Sequence, residues 1–152
     1  MMPDVVPDSV PDSPNGRIHT RFGEFDVVRS HVVTFPEGIP GFGTCRRFIV
    51  IHADELSPLT CLQAMDAPFP SFLAADPSTL RADYSPELPV PDRAALGDPT
   101  ESPLWLVILT LGLHEVTANL RAPIAINPST MIGRQVLLDD PSYPISWPVE
   151  AR

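Results

Sequence analysis

The sequence predicts an all-β, mainly antiparallel protein: a small β-barrel-like single domain with one short helix. Three observations lead there. Twenty prolines are spread through 152 residues, and each removes a backbone donor and breaks helix interiors, which excludes a helical bundle. Short apolar or alternating segments recur between Pro and Gly turns, the pattern of many brief strands closing on themselves. A chain of this length, 43% hydrophobic, is the size of one domain and can bury a core without metal or disulfide staples.

Taken in order, residues 1–16 repeat Val-Pro-Asp-Ser (Val6 to Ser9, then Val10 to Ser13) and end Pro14-Asn15-Gly16. Too few apolar side chains offset the entropy of ordering them, so a disordered Pro/Asp-rich tail is expected before a domain over 17–152. Ile18, Thr20 and Phe22 alternate up to Gly23, followed by Phe25 and Val27, as in a hairpin or a bulged strand. Further strands are expected at Val32–Phe35, Arg47–His52, Leu59–Ala64, Ser71–Ala75, Leu104–Leu111, Val116–Ile126 and Gly133–Leu138. Val116–Ile126 alternates without a break, although Pro123 requires an edge or a bulge there. Leu104–Leu109 is apolar on both parities and reads as a central strand covered on both sides. The short helix is expected at Pro91–Leu96, with proline in its first turn and Gly97 closing it.

The net charge is −9, and all ten basic residues are arginine. The imbalance sits in residues 54–101, where nine acids face only Arg81 and Arg93. Phosphate backbones are bound by clustered cations, so direct nucleic-acid binding is not expected, whereas a basic protein partner suits the charge. Cys45 and Cys61 lack the spacing of a redox pair or a metal site and are expected as buried thiols. The start of the chain has neither the basic nor the apolar region of a signal peptide, and Leu104–Leu113 is about half the ~20 residues of a membrane helix. A soluble, cytoplasmic protein without membrane contact is the expectation.

No phosphate-binding glycine loop, nucleophile elbow or zinc-protease motif occurs, and His19, His31, His52 and His114 stand singly. Asp54-Glu55 and Asp139-Asp140 are sequence neighbours, which point apart on a strand and suit solvated turns better than acid/base work. Neither an enzyme, a metal nor a cofactor is therefore expected. Phe35-Pro36-Glu37-Gly38-Ile39-Pro40-Gly41-Phe42 stands out as a preset, tight loop. It reads either as a turn whose Phe and Ile plug the end of the barrel or as a rigid, partly exposed apolar contact surface.

This loop, with Leu62-Gln63-Ala64, Ala75-Asp76-Pro77, Asp83-Tyr84, Thr117 to Asn127 (TANLRAPIAIN) and Gly133-Arg134-Gln135-Val136, resembles in order and spacing the motifs of the flagellar assembly factor FliW family. Ala64 stands where the family usually has Ser. The resemblance spans residues 18 to about 143. It implies a β-barrel-like fold and two protein partners: the dimeric RNA-binding regulator CsrA, whose repression of flagellin translation the family relieves, and flagellin, which sequesters the family's members in turn. The alternative it leaves is a flagellin-binding export chaperone without CsrA control. Carried onto this chain, the candidate partner-binding residues are Phe42, Asp76, Asp83, Tyr84, Asn119 and Arg121.

Overall fold

A computed structural model of the chain describes residues 17–26, 29–97 and 102–149. The expected tail, residues 1–16, lies outside them. Strands dominate, all the registered pairings are antiparallel, and one short helix is present, as expected. Contacts divide the chain into two compact units, one up to Leu73 and one from Ala74.

The first unit opens with a hairpin, β1 (Arg17–Thr20) on β2 (Gly23–Asp26). Gly23 turns the chain at φ 121°, where a side chain would be strained. Thr20 Oγ1 fixes the turn by accepting from Phe22 N at 3.1 Å and donating to Gly23 O at 3.0 Å. A meander follows: β3 (Arg29–Thr34), β4 (Arg47–His52), β5 (Thr60–Ala64) and β6 (Ser71–Ala75). β4 and β5 carry the apolar core, with Phe48, Ile49, Ile51, Cys61 and Leu62 fully buried. Branched and aromatic side chains on adjacent strands fill both faces here, so the alternation expected of a half-exposed strand is lost. The buried amide of Gln63 is satisfied: its Nε2 donates to Phe69 O at 3.1 Å and its Oε1 accepts from the Ser71 hydroxyl. Both cysteines are free and buried, as expected.

The second unit is organised around β7 (Leu104–Leu111). Ala74 and Ala75 of β6 pair with Ile108 and Val107 of β7. β8 (Val116–Ala118) pairs with Leu109–Leu111, while β9 (Ile124–Asn127) pairs with Leu104–Leu106. β10 (Ile132–Gln135) lies on β9, and β11 (Trp147–Val149), which the sequence pattern did not announce, lies on β8. The helix α1 runs over Val90–Ala95 with Gly97 beyond it at φ 84°. Asn127 Nδ2 donates to Leu96 O at 2.7 Å, and Arg134 Nε bonds Asp92 at 2.6 Å, which ties the helix to β9 and β10.

Two expectations change. β7 is central in its pairings, yet only Val107 and Leu109 are buried on it and Leu104 and Leu111 are about half exposed, so it is not covered on both sides. The uninterrupted strand expected over Val116–Ile126 is two strands, β8 and β9, with residues 119–123 looped out between them. Five residues of this loop stand opposite only Val107 and Ile108, a wide bulge in a strand that otherwise keeps to β7 throughout. Burial alternates only as far as Arg121: Ala118 and Leu120 are buried and Asn119 and Arg121 half-buried, but Ala122 is half-buried and Pro123, Ala125 and Asn127 are buried along with Ile124 and Ile126. Residue type alternates through the bulge all the same, which is why the sequence pattern did not reveal it.

Candidate interaction site

The bulge is where three family-type residues meet, and its backbone explains them. Every polar main-chain group it turns away from β7 needs another partner. Asn119 Oδ1 accepts from Arg121 N at 3.0 Å, a side-chain turn that starts the bulge. Leu120 N donates to Pro144 O at 3.0 Å, and Leu120 O accepts from the Tyr84 hydroxyl at 2.7 Å. Arg121 O and Pro123 O accept from Leu138 N and Val136 N, both at 2.8 Å, and Ala122 O from Gln135 Nε2 at 2.9 Å. The run Asn119 to Pro123 is thus knitted to Tyr84 on one side and to the chain beyond β10 on the other.

That chain, residues 139–149, lies across the bulge as a strap. Arg121 Nε donates to Tyr143 O at 2.8 Å and its Nη2 to Pro141 O at 3.2 Å. Arg81 Nη1 reaches Ser142 O at 2.9 Å, and its guanidinium sits 5.4 Å from the Tyr143 ring centre and 5.5 Å from that of Trp147. Such cation–π contacts bind aromatics without burying them fully. The Tyr143 ring in turn packs on Tyr84 at 4.8 Å. Asp140 Oδ1 accepts from Ser142 N at 2.9 Å, and this bond, helped by the Ser142 hydroxyl and by the nearby Arg81 and Arg121 charges, holds its carboxyl below the usual range. Burial pushes the Tyr84 phenol well above its usual range, with Tyr143 adding to the shift and Arg81 opposing it.

Of the candidate residues, five fall in this unit. Tyr84 is buried, Asn119 and Arg121 are half-buried, and all three are engaged in the bulge and strap. Asp83 is exposed and reaches the network through Arg81, whose Nε it bonds at 2.9 Å. Asp76 is exposed and caps a 3-10 turn over Pro77–Thr79, accepting from Ser78 N at 2.9 Å. A groove of about 710 Å3 runs past Asp76, Tyr84, Glu87, Arg93, Leu104 and Trp105. Two exposed acids, Asp76 and Glu87, therefore line this groove, and the exposed Asp83 adjoins Tyr84 in sequence.

Phe42, the sixth candidate, belongs to the first unit, half-buried and edge-on to Phe72 at 5.4 Å. In its loop Phe35 and Ile39 are buried, whereas Phe42 is half-buried. Gly38 is indispensable, because a Cβ there would lie 2.7 Å from Gly43 Cα and φ is +70°.

Sequence reasoning missed Arg81, Tyr143 and Trp147. Arg81 had a signal, as one of two cations in the acidic block. The two aromatics had none, since nothing local ties residues 143 and 147 to residue 81. Among the described residues no group of three or more His, Cys, Asp or Glu could hold a metal, and no helix is long and apolar enough to cross a membrane.

Comparison with known proteins agrees with the motif reading. The family model described as FliW protein matches residues 17–149. The flagellar assembly factor FliW of Carboxydothermus hydrogenoformans is 36% identical over 131 residues, 84% of each chain. That of Geotalea uraniireducens is 34% identical over 133 residues, covering 85% of this chain and 80% of its own. A crystal structure of the flagellar assembly factor FliW is similar with a TM-score of 0.75 at 29% identity, covering 90% of this chain and 98% of the other.

Proposed function

The chain belongs to the FliW family, and on that premise we propose that it serves flagellar assembly by binding a CsrA-type regulator dimer, thereby relieving repression of flagellin translation, and that flagellin sequesters it in turn. The observation that carries this reading is the family match over residues 17–149, which includes each of the ordered motifs. The chemistry of the second unit supports it. An RNA-binding regulator must present basic residues, and the exposed Asp76, Asp83 and Glu87 offer charge of the opposite sign. On this reading the protein works by binding rather than by catalysis, in the cytoplasm where translation occurs.

The test is a gel shift of CsrA on the flagellin leader RNA, with this protein titrated in and flagellin added last. Release of the RNA, reversed by flagellin, supports the switch. An RNA complex untouched by a large excess of the protein refutes it, and flagellin binding indifferent to CsrA then favours the export chaperone.

A further inference from the structure

The strap over residues 139–149 is held in an unusual way. None of its side chains is buried: Tyr143, Pro144, Trp147 and Val149 are half-buried and the rest exposed, with Ile145 at 58%. Its attachment instead runs through its backbone. Arg121 and Arg81 donate to the carbonyls of Pro141, Ser142 and Tyr143, Leu120 N donates to Pro144 O, and β11 adds a strand to the outer edge of β8. Main-chain carbonyls are common to every sequence, so donors of this kind hold an extended chain rather than one particular peptide. Only two side chains of the strap are gripped, the Tyr143 and Trp147 rings against Arg81 and Tyr84.

The resident strand is also a short one. β11 has three residues, and the middle one, Pro148, lies opposite Thr117. The Gly112 amide donates to Glu115 O, which sets the Thr117 backbone toward β7, so only the pairs of Val116 with Val149 and of Ala118 with Trp147 can bond β11 to β8.

From this we propose that the β8 edge, together with Arg81, Tyr84 and Arg121, is a receptor for an extended peptide, which the chain's own residues 139–149 occupy in cis and a partner segment can take over. The partner segment is extended, not helical, and carries two aromatic side chains four residues apart, the spacing of Tyr143 and Trp147. When the strap leaves, the backbone groups of Val116 and Ala118 on β8, the Leu120 amide and the donor groups of both arginines become available together. This receptor is independent of the regulator reading above, since its test uses neither RNA nor CsrA.

The experiment inserts a site-specific protease sequence between the exposed Asp139 and Asp140 of the full chain and cuts it after folding. A fluorescent peptide with the sequence of residues 140–149 is then added. The expected result is that the cut fragment is replaced by the labelled peptide within hours and that a peptide with both aromatics changed to Ala binds about tenfold more weakly. A fragment that cannot be exchanged short of unfolding, a body that does not take up the peptide at all, or a cut chain that pairs into a dimer through its straps would each overturn the proposal. Hydrogen exchange on the uncut native chain provides a second reading that needs no variant. The Leu120 amide and those of Tyr143, Trp147 and Val149 are expected to exchange at least about tenfold faster than the β7 amides paired to β9, and equal protection would overturn it.

Discussion

The β4–β5 pair of the first unit and the strap of the second are both strands laid on neighbouring strands, but they are held by different forces. In β4 and β5, nine of eleven residues are fully or nearly fully buried, among them Phe48, whose ring packs edge-on against Phe35 at 5.4 Å. Apolar burial is non-directional and large, so such strands open only with the rest of their core. The strap buries no side chain and depends on directed bonds from two arginines. Those bonds are replaceable by water at modest cost, which is how a fold can keep one strand exchangeable while the remainder stays fixed.

Mutations can break this contrast. Phe48→Ala opens a cavity in the densest part of the first unit and should cost about 3–5 kcal/mol, read as a large drop in Tm with the transition still cooperative. Gly38→Ala forces a Cβ onto Gly43 at a left-handed φ. It should cost about 1–3 kcal/mol by chemical denaturation, with part of the loss appearing as a shift of the Phe42 surroundings. Tyr84→Phe removes the donor to the Leu120 carbonyl at nearly constant volume and should cost about 1–2 kcal/mol. Arg121→Gln sharpens the comparison rather than breaking it: Tm should move by no more than ~1 kcal/mol equivalent, while hydrogen exchange accelerates in residues 139–149 and leaves β4 and β5 unchanged. If Arg121→Gln lowers protection evenly through the protein, the strap is not a separable element.

Acid offers the mildest probe. The Asp140 carboxyl is held below its ordinary 3.8 by the Ser142 amide. Its folded-state value is thus depressed, so its contribution is complete above that ordinary value and is lost as pH falls below it. Strap amides should accordingly lose protection below about pH 4 in the native chain but not in Asp140→Asn, which lacks the titration.

Much of the fold was legible because it rests on local rules. Arg47–His52, Ser71–Ala75 and Leu104–Leu111 were located to the residue from apolar runs between turn formers. Gly97 and Pro91 marked the helix within one position at either end. Part of the candidate site was legible too, in that Tyr84, Asn119 and Arg121 were singled out and lie together. Their roles were not, because Asn119 to Pro123 alternate in residue type like a strand while looping away from β7, and β11 is three residues with a proline at its centre.

By itself, then, the sequence determined the fold class, the family and the acidic character of residues 54–101, all of which depend on composition, periodicity and motif order. Only the tertiary structure decided that the bulge at 119–123 opens a path for a strap, that Arg81 grips Tyr143 and Trp147 more than sixty residues on, and that the strap's other attachments run through its main chain. The physical reason is range. Periodicity records which way each side chain faces, but which distant backbone satisfies a looped-out carbonyl is settled only when the chain has packed.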